Sequence, residues 1–189
     1  MTDMIWSFSP WIAFIALTRV SVYCAAAAAA VMAIVVLVRA VGRKKIHLLD
    51  GFGVVFFVAM GVVLAVFRPS DIDTWGRYAQ AVAHGTLMLI VFGSVIIGKP
   101  FTESYARDQA PQRVWNTPDF HAFNRQISLV WGLAFLVGTI SLIAAGSVDS
   151  RQFLLRLAVP GAALALAYLF TQKKAATRRG AAANIAWPS

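Results

Sequence analysis

His84 lies inside a long apolar stretch of this sequence, where an ionisable side chain is a default candidate for function. Arg77 and Gln80 precede it by seven and four residues, so the three side chains fall near one face of a helix. Together they predict a polar stripe that reaches roughly 10 Å inward from one end of that helix. Such a stripe could carry protons through a membrane, or it could only bind a neighbouring helix.

The other residues that could support chemistry are few. His47 and His121 fall on the opposite side of the predicted membrane from His84, so no pair suits two axial haem ligands. Cys24 is the single cysteine, and no cluster has the spacing of a zinc site. The sequence has no phosphate-binding loop, no nucleophile elbow and no carboxylate in the interior of a predicted span. We therefore expect no cofactor, no metal and no enzymatic activity.

A polar, aromatic-rich segment, "GKPFTESYARDQAPQRVWNTPDF", covers residues 98–120 between two apolar stretches. Pro100 predicts the start of a short helix. In that helix Phe101 and Tyr105 share a face that should rest on the membrane surface together with Trp115. Glu103 and Arg107, also four residues apart, should pair and face water.

The end of the same segment predicts the start of the next long helix. Thr117 is a capping residue, Pro118 suits the first turn, and Asp119 suits the positive end of the helix dipole. Stops, caps and interfacial packing thus explain most of the segment. The alternative is a surface that binds a partner or ligand, as polar loops on a rigid scaffold often do. Its candidate residues are Phe101, Tyr105, Arg107, Arg113 and Trp115.

Membrane helices are the elements that must position these residues. The chain is 59% hydrophobic and 13% charged, whereas a soluble domain is nearer a quarter charged. Several uncharged runs reach the length of about 20 residues that crosses a hydrocarbon core. We predict an all-α, polytopic protein with one membrane domain, residues 1–172, and a basic, disordered tail, residues 173–189. The predicted spans are residues 20–38, 48–67, 78–97, 127–145 and 153–170.

Basic residues collect on one side of these five spans. Twelve of the seventeen lysines and arginines lie in residues 39–45, in residues 99–125 or in the tail. The positive-inside rule places that side, with the C-terminus, in the cytoplasm. The net charge of +9 then reflects topology and contact with anionic lipid. No zinc-finger or base-reading pattern points to nucleic acid.

The N-terminal stretch "IWSFSPWIAFIAL", residues 5–17, is apolar but short and contains Pro10. We expect an interfacial or re-entrant segment with Trp6 and Trp11 in the head-group layer, because thirteen residues are few for a crossing. The alternative is a sixth crossing. It would put the N-terminus on the cytoplasmic side and would require a tight turn around Arg19.

Four features of the chain occur together in one known family. They are the N-terminal "FSPWIAFIALTRVSVYCAAAAAA", the basic loop after it, "GKP" at the end of the third span, and "APQRVW" followed by "LVWGLAF". Over residues 8–170 the chain thereby resembles the intracellular septation protein A family of small bacterial inner-membrane proteins. It departs from that family in the longer stretch "NTPDFHAFNRQISLV" and in the basic, alanine-rich tail, so it is similar to a distant relative or a sister family.

The resemblance implies a five-span protein of the bacterial inner membrane that is linked to envelope synthesis and division, with no known catalytic residues. We accordingly predict a non-catalytic scaffold or assembly factor. Its expected partners are the lipid bilayer and other membrane, division or cell-wall proteins, or a second copy of this chain through small-residue packing. The alternative function is a small transporter or channel with His84 in its path.

Overall fold

The structure is a computed structural model that describes residues 2–67, 72–147 and 154–185, and it contains no strand in these ranges. Five helices are long and apolar enough to cross a membrane, and a short helix precedes them, as the sequence predicts. A 3-10 turn, Gln112–Val114, and a π-helical turn, Leu154–Ala158, are the irregular pieces. The α-helices are α1 Thr2–Leu17, α2 Val22–Gly42, α3 Leu48–Phe67, α4 Ile72–Ile96, α5 Phe101–Arg107, α6 Pro118–Ser147 and α7 Val159–Ile185.

The short helix α1 lies in the middle of the bundle. On one side its Trp11 ring packs against Phe56 and Phe57 of α3, at centroid distances of 5.0 and 4.8 Å. On the other side Phe8 stacks on Trp131 of α6 at 5.5 Å. Aromatic pairs of this kind add stabilisation to the area that they bury. α1 therefore joins the α2–α3 pair to the α4–α6 pair.

The ends of α1 show that it runs lengthwise through the bundle. Near its start, Asp3 lies 3.6 Å from Arg43, the residue that ends α2. Near its other end, the Ile15 carbonyl accepts a hydrogen bond of 3.1 Å from Gln80 in the first half of α4. These contacts show that α1 runs along the bundle and does not lie flat across its end, which leaves a re-entrant segment and a sixth crossing as its two placements. Sixteen helical residues extend about 24 Å, somewhat less than a hydrocarbon core of about 30 Å.

The head-group position expected for Trp11 is wrong, because only 2% of its surface is exposed. Its indole ring packs on Phe56 and Phe57 of α3. Trp6 is 43% exposed and lies at an end of the bundle, with the Arg39 guanidinium 4.5 Å from its ring. The sequence could not separate the two tryptophans, because the contact of Trp11 with α3 exists only after α1 and α3 pack.

Helices α4 and α6 pack closely because rings of α4 lie against glycines of α6. A Cβ at Gly132 would come within 2.8 Å of the Phe92 ring, and a Cβ at Gly138 within 2.8 Å of His84 Cδ2. Close packing of this kind drives helix association in a membrane, where burial of apolar surface contributes little. The ring–glycine pairs along the interface are Phe92–Gly132, His84–Gly138 and Tyr78–Gly146.

The base-bearing segments meet at one end of the bundle, called the base-rich end below. Lys45, in the loop between α2 and α3, lies 3.6 Å from Asp108 in the segment between α4 and α6. At the same end Arg178 of α7 lies over the Phe123 ring of α6, 4.8 Å from its centroid. The loops that the sequence assigned to one side of the membrane are thus together in space.

The disorder predicted for the tail is wrong for residues 173–185, because α7 continues through them to Ile185. Alanine, which is frequent here, is the best helix former. Two side-chain contacts also hold this extension to α6: Lys174 donates to Gln126, and Arg178 covers Phe123. Residues 186–189 lie outside the described ranges.

Candidate interaction site at the base-rich end

The connector, residues 97–117 between α4 and α6, has the start and stop signals that the sequence predicts. Gly98 ends α4 with a φ of +78°, a conformation that glycine adopts readily, and the Lys99 amide then donates to the Ser94 carbonyl at 2.9 Å. At the other end Thr117 Oγ1 accepts a bond of 3.3 Å from the Phe120 amide and caps α6. The predicted short helix is α5.

A buried polar network fixes α5 on α6. Thr102 Oγ1 donates to the Asn124 carbonyl at 3.0 Å, so the Ser128 hydroxyl, 2.9 Å away, must donate to Thr102. The Phe101 amide donates to Ser94 Oγ at 3.0 Å. Asn124 and Ser128 are 1% and 0% exposed. Breaking such bonds would leave buried polar atoms unsatisfied, so this network holds the connector rigidly on the bundle.

A second network centres on His47, which precedes α3. Its Nδ1 lies 3.3 Å from Asp50 Oδ2 and its Nε2 lies 3.0 Å from Asp108 Oδ2. The Asp50 carboxylate also accepts bonds from the His47 amide at 2.9 Å and from Ser7 Oγ at 2.5 Å. The imidazole stacks on Tyr105 at 4.1 Å and 7°. This His47 cluster ties α1, α3 and the connector together.

The charge state of the His47 cluster follows from its carboxylates. Burial lowers the pKa of His47, but the hydrogen bonds and charges of Asp50 and Asp108 outweigh burial and raise it above 6.5. As imidazolium, the ring donates from both nitrogens, one to each carboxylate. Burial raises the pKa of the Tyr105 phenol, which therefore stays neutral beneath the imidazole. The two carboxylates thus stabilise the imidazolium form of His47 in the folded protein.

A third network centres on Glu103. Arg107 Nη2 donates to Glu103 Oε1 at 2.6 Å, which confirms the predicted pair. His121 Nδ1 of α6 lies 2.8 Å from the other oxygen, Oε2. The expectation that Glu103 faces water is wrong, because it is 6% exposed. The correction has a tertiary cause, since His121 comes to α5 only when α6 packs beside it.

The five candidate residues of the connector point in different directions. Phe101 and Tyr105 are 2% and 5% exposed, so they pack into the protein and not onto the membrane surface as expected. The connector folds back over the bundle end, which covers that face. Trp115 is half-buried, donates to the Ala110 carbonyl at 2.9 Å and lies 5.6 Å from the Arg107 guanidinium. Arg113 is exposed and forms no ion pair with the described residues.

Two members of the predicted polar stripe of α4, Gln80 and His84, are buried, and each has its own hydrogen-bond partner. Gln80 donates to α1 through the Ile15 carbonyl, as described above. His84 Nδ1 lies 3.1 Å from the Gln80 carbonyl, which can only accept, so Nδ1 carries a proton. In the neutral ring Nε2 is then an open acceptor. The side chain of Arg77 lies outside the described part of the structure.

His84 also lines an apolar cavity of about 330 Å³ between α1, α4, α6 and α7. Phe8 and Ile12 of α1, Trp131 of α6 and Leu164 of α7 form part of its wall. The volume lies within the usual range of small-molecule sites, about 300–1,000 Å³. No local sequence pattern predicts this cavity, because its walls come from four helices.

The His47 cluster was not predicted from the sequence. One local signal was present: Asp50 is the third residue after His47, where an acidic side chain returns to the amide at a helix start. Asp108 lies 61 residues from His47, and nothing local joins the two. No group of three or more histidine, cysteine or acidic side chains in the described ranges is arranged to hold a metal ion.

No protein-family model matches the sequence, and no curated protein or solved structure is significantly similar to this chain. The candidate site is therefore interpreted from its own geometry.

Proposed function

We propose that this chain is a non-catalytic protein of the bacterial inner membrane that acts as a scaffold or assembly factor in envelope synthesis or division. The connector is its docking surface for a protein partner. The observation that carries this proposal is the way in which buried polar networks hold the connector rigid. A binding surface gains affinity when it is ordered before the partner arrives.

The chemistry of the networks supports a binding role over a catalytic one. Both ring nitrogens of His47 and both oxygens of Glu103 have partners within the protein. A general acid or base needs a group that can reach a substrate. The outward side of the connector, by contrast, presents side chains with room for a partner. Its exposed residues include Gln109, Pro111, Gln112, Arg113 and Asn116.

The division-linked part of the proposal rests on the resemblance of residues 8–170 to the intracellular septation protein A family. The orientation rests on the lysines and arginines, which favour the cytoplasm for the base-rich end.

A photo-crosslinking residue at Gln112 should then capture a division or cell-wall protein in living cells, and Arg113→Glu should abolish the crosslinked product. The same probe at Val20, exposed at the turn between α1 and α2, is the control. Equal capture at both positions would contradict a docking role for the connector.

The proposed orientation has its own test. Cysteines introduced at Gln112 and at Arg19, in a Cys24→Ala background, should react with an impermeant reagent from opposite sides of the membrane. An N-terminal tag should report the same side as Gln112, because α1 starts at the base-rich end. A tag on the side of Arg19 would exclude an α1 that crosses the membrane.

A second candidate function, a small transporter or channel, is favoured by one observation: His84 borders the 330 Å³ cavity. If His84 carries protons, His84→Gln should abolish activity while expression and thermal stability stay normal. His121→Gln, the same change at a histidine of α6 outside the cavity, is the matched control. Retained function in His84→Gln would leave the histidine as a packing residue and remove this candidate.

A further inference from the structure

A groove of about 670 Å³ lies between the start of α6 and the end of α7. Three bases of α7 line it: Lys173, Lys174 and Arg178. Phe170, one turn earlier on α7, and Phe123 of α6 form its apolar wall. Phe170 thus lies toward the membrane core from the three bases, whereas Phe123 lies level with Arg178.

Two cations of this groove, Lys174 and Arg178, have contacts within the protein that do not neutralise their charge. Lys174 donates to the Gln126 amide oxygen, and the Arg178 guanidinium lies 4.8 Å above the Phe123 ring. None of the three bases forms an ion pair with a carboxylate in the described ranges. The single acidic side chain of the lining is Asp119, so the groove keeps a net positive charge. This contrasts with the His47 cluster, where each charge has an opposite partner.

The spacing of rings and bases matches the polar boundary of a bilayer. Lys173 and Lys174 follow Phe170 by three and four residues, about 5–6 Å along the axis. Arg178 follows Phe170 by about 12 Å. A head-group layer is several ångströms thick outside a hydrocarbon core of about 30 Å. A lipid could place its phosphate among the bases while an acyl chain lies along Phe170, one turn deeper.

We propose that this groove binds one anionic phospholipid from the leaflet at the base-rich end. The phosphodiester lies between Lys174 and Arg178, because guanidinium groups bind phosphate oxygens through paired hydrogen bonds and lysine adds a point charge. The apolar wall selects a lipid over a soluble phosphate. None of the residues that line the groove belongs to the connector, so the lipid site does not require the proposed partner function.

The test measures phosphatidylglycerol binding to the purified full chain in neutral detergent, by native mass spectrometry. Lys174→Gln with Arg178→Gln should lower the affinity about 30-fold, at about fivefold for each base. The matched control, Lys44→Gln with Lys99→Gln, removes the same charge from exposed positions at the same end and should leave the affinity within about twofold. The exchange pair Lys174→Arg with Arg178→Lys should retain binding.

Three outcomes would overturn the proposal. Equal losses of lipid affinity in the Lys174→Gln/Arg178→Gln variant and in the Lys44→Gln/Lys99→Gln control would show that the lipid is attracted by the net charge and not by this groove. Equal binding of phosphatidylglycerol and phosphatidylcholine would remove the role of the bases. Displacement of the lipid by inorganic phosphate at similar concentration would identify a soluble-anion site. Helicity measured by circular dichroism verifies that each variant is folded, and the exchange pair decides the matter if the glutamine pair unfolds.

Discussion

The base-rich end and the α4–α6 interface are held together by different interactions. At the base-rich end, the His47 cluster joins three chain segments through two carboxylates and two hydroxyl or amide donors. Along α4 and α6, rings of one helix lie against glycines of the other. One region depends on charge and hydrogen bonds, and the other depends on shape.

The difference follows from the surroundings of each region. Inside a bilayer, apolar side chains gain little by leaving lipid, so close van der Waals contact must hold helices together. At the end of the bundle, loops carry backbone and side-chain groups that need partners, and polar networks can provide them. Stability should therefore respond mainly to charge and pH at the base-rich end and mainly to side-chain volume at the α4–α6 interface.

The largest effect should come from Asp50→Ala at the base-rich end. Removing one partner from a buried ion pair costs about 3–5 kcal/mol. We expect the lower end, about 3 kcal/mol, because Asp108 still pairs with His47. Asp3→Ala is the control, since the Asp3–Arg43 pair is 38% and 57% exposed and should contribute about 1 kcal/mol or less. Thermal unfolding in detergent measures both, and equal losses would refute a special role for burial.

The next effect tests shape at the interface. Gly138→Ala should destabilise the protein by about 1–3 kcal/mol, because the new methyl group would approach His84 Cδ2 within 2.8 Å. Gly61→Ala on α3 is the matched control, since nothing lies within 4 Å of a Cβ there. That control should be neutral or slightly stabilising, as alanine favours a helix.

A second-site change sharpens this test. In a His84→Ala background the space beside Gly138 is open, so Gly138→Ala should no longer cost stability. Unfolding of the single and double variants gives the interaction energy of the pair. Additive losses would contradict the ring–glycine account, because they would show that the two positions do not touch.

The features that could be predicted from the sequence are local, and those that could not depend on contacts between distant residues. Apolar run length predicts the five long helices, and local spacing predicts α5, the Thr117 cap and the Glu103–Arg107 pair. Each signal lies within a few residues of the chain. The burial of Glu103 was missed, because it depends on His121 from another helix.

The same reason explains why the sequence left the position of the N-terminal helix open. A short apolar segment with Pro10 and two tryptophans suits an interface as well as a core. The position of α1 depends on Phe56 and Phe57 beside Trp11 and on Trp131 beside Phe8. A single sequence does not show which distant residues come into contact in the fold. Because the candidate site depends on such contacts, it could be predicted only in part.

The pH dependence of stability should belong to the base-rich end alone. The pKa of His47 is raised in the folded protein, so its contribution is complete below the ordinary value of 6.5 and is lost as the pH rises through the folded value. Wild-type stability should therefore fall as the pH rises above about 6.5, by at most about 1.4 kcal/mol per pH unit.

His47→Gln should remove this slope, whereas Gly138→Ala should lower stability equally at each pH. Unfolding between pH 5.5 and 9 compares the two variants with the wild type. His121→Gln controls for loss of a histidine at the same end. A slope that survives in His47→Gln would assign the pH dependence to another group.

The smallest effect should come from Arg107→Gln. Glu103 is 8% exposed in its side chain but Arg107 is 40% exposed, so the pair is only half protected from solvent. Glutamine can still donate to Glu103, and His121 keeps the second oxygen bonded. We expect a loss of stability of about 1 kcal/mol or less, with faster hydrogen exchange limited to the α5 amides.

The control, Arg113→Gln, should change neither the stability nor the exchange rate, because that side chain is exposed and lacks an ion pair among the described residues. A larger loss of stability for Arg113→Gln than for Arg107→Gln would mean that the exposed surface of the connector also stabilises the fold. The distinction between buried, paired side chains and exposed, unpaired ones would then not hold.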